Sequence, residues 1–254
     1  MTSSAPRRRL RLVRSILLAL PLLLASCVTA PSMTSSPLSG SSQLVVVTTP
    51  DWSAVDGTMQ EYERRGAVWQ PVGEAIPIVV GRTGLAWGKG VVSTMAFHGP
   101  RKVEGDGKAP AGIYRFGSAF GFASEPAGNP AMAYKQLTEV TECVDDSASQ
   151  FYNRIVDRDA ASPVDWKSSE RMRSVAAYRL GLVVEHNGAA IPRSGSCIFM
   201  HLWSGPGHGT AGCTAMDDAA LEAMLRWLDP AARPLLVQLP AAELQRLRSI
   251  WSLP

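Results

Sequence analysis

The sequence predicts a single, mostly β domain with short helices, an α+β fold. Three observations predict it. Short apolar runs divided by Gly, Pro and Asp fill the first half, two helical periods close the chain, and no linker or internal repeat interrupts the roughly 210 residues after position 42. A chain of that size buries a substantial core as one domain.

The elements follow in order. Leu44–Val47 is a short apolar run, and Thr58–Glu63 partly alternates after the turn signal Asp56-Gly57. Ala67–Val72 follows Gly66, Ile76–Val80 is apolar, and Gly88–Phe97 carries β-branched residues, so each reads as a strand. Residues 99–135 are dense in Gly and Pro, with regular structure expected only at Ile113–Phe116. The polar stretch Asp145–Arg173, anchored by Phe151, Tyr152 and Trp166, is long for a structureless connection. It is expected to pack on the surface and border a site. Tyr178–His186 and Cys197–Trp203 are strands. Asp217 or Asp218 caps a helix to about Trp227, with Ala219, Leu221, Met224, Leu225 and Leu228 near helical period and Pro230 as the stop. Leu235–Leu239 is a strand, and Pro240 opens a last helix, Ala241 to about Trp251. The domain thus spans 43–240, with 241–254 expected to pack on it as a C-terminal helix.

The N-terminus sets the expected compartment. Arg7, Arg8, Arg9, Arg11 and Arg14 precede the apolar run Ile16–Ala25, which is shorter than the roughly 20 residues a bilayer span needs. This is the layout of a bacterial secretory signal over 1–26. Leu24-Ala25-Ser26-Cys27 looks like a lipobox, with Cys27 as the lipidated residue. An ordinary signal with an incidental cysteine is the other reading. Val28, where an aspartate would signal retention, favours anchoring to the outer membrane, so the chain is expected in the periplasm or cell envelope. Residues 27–42, rich in Ser, Thr, Pro and Gly and free of charge, read as a flexible tether. Of 25 Lys+Arg against 22 Asp+Glu, five arginines leave with the signal, so 20 remain against 22 and the net charge becomes −2. That balance argues against nucleic-acid binding.

Four cysteines are present. Lipidation would take Cys27 and catalysis Cys213. Cys143 and Cys197 then remain in an oxidising compartment, either as a disulfide or as two buried thiols. No His/Cys spacing makes a zinc site.

The chemistry centres on Gly209-Thr210-Ala211-Gly212-Cys213-Thr214-Ala215-Met216, whose Cys213 lies twelve residues after His201. A thiol with an imidazole upstream is the minimal equipment for a nucleophile and its base. Free cysteines are often simply buried, but a Gly/Thr/Ala setting is poor core material. Gly212 lets backbone or substrate approach closely. The helix expected after Cys213 would point its N-terminal N–H groups at the sulfur and favour the thiolate. The amides of the 210–213 loop, with Gly212 and Thr210, are candidates for oxyanion stabilisation. His208, in the loop Ser204–Gly209, is a candidate substrate contact, and His186, ending an apolar strand, is read as structural. Trp203 and Tyr114 either line a substrate groove or pack in the core.

Phe199-Met200-His201, Thr210-Ala211-Gly212-Cys213 and the stretch Gly105-Asp106-Gly107-Lys108-Ala109-Pro110-Ala111-Gly112-Ile113-Tyr114 together resemble the L,D-transpeptidases, the YkuD-like catalytic domains of bacterial cell walls. The resemblance covers most of 44–240. It implies a β-sandwich catalytic domain and acyl transfer on peptidoglycan stem peptides through a thioester, with Cys213 as nucleophile, His201 as base and Lys108 near the substrate. It requires no metal or cofactor. Water as acceptor would give an L,D-carboxypeptidase or endopeptidase. Ala211 and Ala215 stand where family members usually carry His and Arg or Asn, and the His-to-Cys spacing is shorter than usual. These departures support the remaining alternative, a peptidoglycan-binding lipoprotein without turnover.

Overall fold

The computed structural model describes residues 1–2, 36–126 and 128–254. The expected signal beyond Thr2, Cys27 and the first part of the tether lie outside the described residues. The last part of that tether does not behave as one. Leu38 is fully buried, and the Ser36 hydroxyl donates to the Trp251 carbonyl at 2.7 Å. Ser42 adds two more long-range bonds, its N–H donating to the Ala232 carbonyl at 2.9 Å and its carbonyl accepting the Arg64 N–H at 2.8 Å, so a segment whose composition reads as linker is held on the domain.

The apolar runs of the first half form β1 (Gln43–Thr49), β2 (Asp56–Arg65) and β3 (Val68–Val79), joined in antiparallel register. The two strands expected at 67–72 and 76–80 are thus one. Gly73, at φ 64°, and a register shift opposite Met59 and Glu61 absorb the break as an irregularity within the ladder. Only β4 (Leu85–Trp87) is regular near the strand expected at 88–97. There the chain lies directly on β5 (Ala109–Gly121), where a Cβ on Gly90 would sit 2.1 Å from the Ile113 carbonyl oxygen. Close packing of backbone on backbone replaces strand pairing. β5 itself is far longer than the expected Ile113–Phe116.

The middle of the chain adds β6 (Tyr134–Gln136) on β5 and then β7 (Thr141–Val144), β8 (Ile155–Asp157) and β9 (Ser169–Arg171). The last three form a separate small sheet in the order β8-β7-β9. They are followed by β10 (Leu180–Val184), β11 (Phe199–Leu202) and β12 (Thr214–Met216). α1 (Asp218–Trp227) starts as expected, with the Asp217 side chain accepting the Ala219 N–H at 3.0 Å. β13 (Leu235–Pro240) and α2 (Ala241–Trp251) also fall where the sequence puts them.

The large sheet runs β10-β11-β12-β3-β2-β1-β13-β5-β4, and β10 also pairs with β5. The layers expected of a sandwich are therefore parts of one sheet that closes on itself. The weakest link is β12–β3, made only by Ala215 opposite Val79. Inside lie Leu44, Val45, Val47, Ile113 and Val237, with Leu221, Met224 and Leu225 of α1 and Leu247 and Trp251 of α2. α2 is tied down by Trp69, whose indole N–H donates to the Ser252 carbonyl at 3.1 Å.

His186 is structural, as read from the sequence. Nδ1 accepts the Lys89 N–H at 3.3 Å and Nε2 faces the Ser194 carbonyl at 2.9 Å. Burial pushes its pKa down to about 4. Below about 6.5 the unfolded chain binds a proton that the native imidazole refuses, so this stability is present above pH 6.5 and is lost as pH falls towards 4. The loss is roughly 3 kcal/mol at about 1.4 kcal/mol per unit. Glu61, raised to about 7 by burial and by Glu63, works in the opposite direction. Comparing urea midpoints of wild type and His186→Asn between pH 4 and 7 isolates the histidine. The variant is expected to lack the acid-side decline attributed to it, and an identical pH dependence in both proteins would refute the assignment.

Candidate active site

The Cys213 loop is fixed from within. The Thr210 hydroxyl accepts the Gly212 N–H at 3.1 Å and donates to the Cys213 carbonyl at 2.6 Å. Thr210 is itself held by the β3 end, its N–H donating to Val80 O at 3.0 Å. The Gly212 amide is thus spent inside the loop, which removes it as an oxyanion donor and leaves it a structural part. Its lack of a side chain matters more. A Cβ there would lie 3.1 Å from the Lys108 carbonyl oxygen, so the glycine-rich 105–112 stretch packs directly behind the Cys213 loop.

Cys213 is buried and has no disulfide partner among the described residues. Its Sγ accepts the Phe199 N–H at 3.3 Å and faces the Cys197 carbonyl at 3.5 Å. The helix terminus expected beside the sulfur is not there. β12 intervenes, and α1 begins only at Asp218. The thiol pKa accordingly goes up, to about 12, through burial first and the Glu170 carboxylate second.

His201 lies on the neighbouring strand β11, buried, with Nδ1 2.8 Å from the Leu202 carbonyl. A carbonyl accepts only, so Nδ1 carries the proton and Nε2 keeps its lone pair. Burial lowers its pKa, which keeps the ring neutral at neutral pH with Nε2 free to accept a proton. The Leu202 carbonyl is the orienting element that no acidic residue in the sequence supplied. The ring packs edge-on against Tyr178, with centroids 5.3 Å apart.

Cys143 and Cys197 form a disulfide with Cα atoms 6.0 Å apart, which settles the two readings of the sequence in favour of the bridge. It joins the small sheet to the segment entering β11. Within that sheet Glu142 accepts from the Trp166 indole and the Ser169 hydroxyl, each at 2.7 Å, and pairs with Arg158 at 3.0 Å. The polar 145–173 stretch therefore has its own framework, and it does border the site. A pocket of about 150 Å³ opens on Cys213, Gly212 and Ala211 and is walled by Lys102, Glu104, Asp145 and Glu170. Lys102 is paired with Asp106 at 2.6 Å, and Glu104 accepts the Ser196 hydroxyl at 3.0 Å. A larger cavity of about 740 Å³ meets this pocket only at Cys197 and Ile198 and does not reach Cys213, and His201 lines neither. Cys213 opens onto the smaller one.

Three expected substrate residues are elsewhere. The Lys108 ammonium donates to the Thr83 carbonyl, so it clamps its own loop. Neither Trp203 nor His208 lines the pocket. The Gly205-Pro206-Gly207 turn carries His208 towards β2, where the Gly207 N–H donates to Asp56 at 2.7 Å. Tyr114 is fully buried, its hydroxyl donating to the Ala111 carbonyl at 2.7 Å, and belongs to the core. Sequence reasoning missed Lys102, Glu104, Asp145, Glu170 and Tyr178. The available signals were the charged residues flanking Gly105-Asp106-Gly107 and the length of the 145–173 stretch.

Two comparisons with known proteins gave matches. A family model described as the L,D-transpeptidase catalytic domain, YkuD, matches residues 55–237. The solved structure of Bdellovibrio bacteriovorus Bd1075 aligns at a TM-score of 0.40 and 14% identity over 84% of this chain and 55% of that one. The chain thus spans about half the length of that structure. No curated protein matches.

Proposed function

The chain belongs to the L,D-transpeptidase catalytic-domain family, and on that premise we propose that it performs cysteine-dependent acyl transfer on peptidoglycan stem peptides. The observation that carries the reading is the Cys213 thiol facing a walled pocket from a loop stapled by Thr210, with a neutral imidazole on the adjacent strand. Cys213 attacks the carbonyl of the residue before a terminal D-amino acid while His201 Nε2 takes the thiol proton. Because the thiol resists ionisation, proton removal accompanies attack, as general-base catalysis allows. The tetrahedral intermediate collapses to a thioester, and the proton passes to the departing amine. An amine acceptor then gives a cross-link, and water gives a shortened stem. The Cys213 amide is the loop donor proposed for the oxyanion. The same proposal has the domain working in the cell envelope, anchored through a lipid on Cys27.

One observation favours a second reading. The high thiol pKa, together with Ala211 and Ala215 in place of polar neighbours, suits a stem-peptide binder without turnover. Intact-protein mass spectrometry with disaccharide-tetrapeptide muropeptides separates the two. The enzyme reading expects a mass increase equal to the donor less the free terminal D-amino acid, mapped to Cys213 and discharged by hydroxylamine. Binding with no covalent adduct would sink it.

A further inference from the structure

We propose that Tyr178 and Glu170 form a second proton path for Cys213, the tyrosine hydroxyl passing the thiol proton to the carboxylate in parallel with His201. This rests on the reading of Cys213 as nucleophile.

The placement of three groups carries it. The Tyr178 hydroxyl donates to Glu170 Oε2 at 2.8 Å, and Tyr178 packs with Cys213 in one buried cluster that also holds Phe199 and Cys197. Its ring packs edge-on to Phe199 at 5.4 Å and to His201 at 5.3 Å, and Phe199 supplies the N–H that holds the sulfur at 3.3 Å. Glu170 sits opposite Cys143 in the β7–β9 register, so the disulfide to Cys197 ties it to the same segment that contacts Cys213. Glu170 and Cys213 face one pocket. The hydroxyl whose proton is committed to Glu170 therefore sits in the same cluster as the thiol.

The step balances without a co-reactant. The S–H bond breaks and its proton goes to the Tyr178 oxygen, while the Tyr178 proton goes to Glu170 Oε2. The negative charge moves from carboxylate to sulfur, and nothing is oxidised or reduced. After attack on the carbonyl, the proton returns through the same hydroxyl to the leaving amine. The charged and titratable groups facing Glu170 are Lys102, Glu104 and Asp145 across the pocket, with Tyr178 and Cys213 beside it. Lys102 is already paired with Asp106. Burial and the two neighbouring carboxylates raise the proton affinity of Glu170, in the direction an acceptor needs.

The test uses the full chain, disaccharide-tetrapeptide muropeptides for kcat and KM from pH 4 to 9, and iodoacetamide for thiol reactivity. Glu170→Gln and Tyr178→Phe are each expected to lower kcat about two- to tenfold with KM within about twofold, less than the loss of a sole general base because His201 still accepts the proton. Both should reduce the acid limb of the kcat profile to the one set by His201. His201→Gln should retain turnover that added Glu170→Gln removes. Alkylation should move the other way in Glu170→Gln and become faster, because a carboxylate beside the sulfur is gone. A purely buttressing role predicts losses that keep the wild-type pH profile, and that result, or unchanged kcat, overturns the relay. Tyr178→Phe keeps the ring among Phe120, Phe199 and His201 and so carries the test if Glu170→Gln misfolds. Wild-type turnover equal to that of Cys213→Ala would instead remove the nucleophile reading, and the relay with it.

Discussion

Cys213→Ala is expected to abolish turnover, by roughly 10⁶-fold or to the limit of detection. That is about the size of loss when the nucleophile of a covalent catalyst is removed. No neighbour can replace it, because Cys143 and Cys197 are bonded to each other and leave Cys213 as the free thiol among the described residues. The substitution also leaves the Phe199 N–H without its sulfur acceptor, a buried donor whose loss of a partner costs about 1–3 kcal/mol. The variant should therefore remain folded with a modestly lower unfolding midpoint. Liquid chromatography of muropeptides after incubation reads the activity, and urea unfolding reads the fold. Substantial residual turnover in a folded Cys213→Ala protein would rule out the covalent route.

Removing the bridge with Cys143→Ser and Cys197→Ser together is expected to destabilise the domain by about 4 kcal/mol, the loop-entropy value for cysteines 54 residues apart. Against a typical stability of about 5–15 kcal/mol, that is a large share. The effect should reach the site as well. Cys197 sits at φ 54°, its N–H donates to Asn153 Oδ1 at 2.9 Å, and its carbonyl faces the Cys213 sulfur. A non-glycine residue holds that left-handed conformation only when its surroundings enforce it. The double variant should therefore lose activity at temperatures where it is still mostly folded. Urea midpoints of wild type with and without reductant give the check. Equal midpoints with and without reductant, with full thiol titration under reductant, would show that the bridge contributes no stability.

Elements whose own residues specify them were legible in the sequence. Asp217, Pro230 and the spacing of Leu221, Met224 and Leu225 define α1, and Pro240 starts α2. The small sheet was not legible, because strands of three residues such as Ile155–Asp157 and Ser169–Arg171 carry no period. They exist because Glu142 gathers distant donors and the disulfide anchors β7. The site divides in the same way. Cys213 and His201 announce themselves by motif, within twelve residues of each other. Tyr178, Glu170 and Lys102 come from three other stretches and meet only through the folding of the sheets. The expected helix-terminus activation failed for a local reason: three residues of strand separate the sulfur from the first turn of α1.

The single contact between β12 and β3 has a consequence for how this molecule meets others. Apart from Val79, the outer edge of β3 from Val68 to Ile78 pairs with no strand among the described residues, and a long open edge is a template for polymerisation. The residues along it are poorly suited to that use. Pro71 and Pro77 have no N–H to give, Gly73 turns left-handed midway, and Glu74 is exposed and charged. A second chain laid against it would find gaps in the ladder and a charge to bury. The strand that leaves the ring nearly open is also the one whose composition guards against intermolecular pairing.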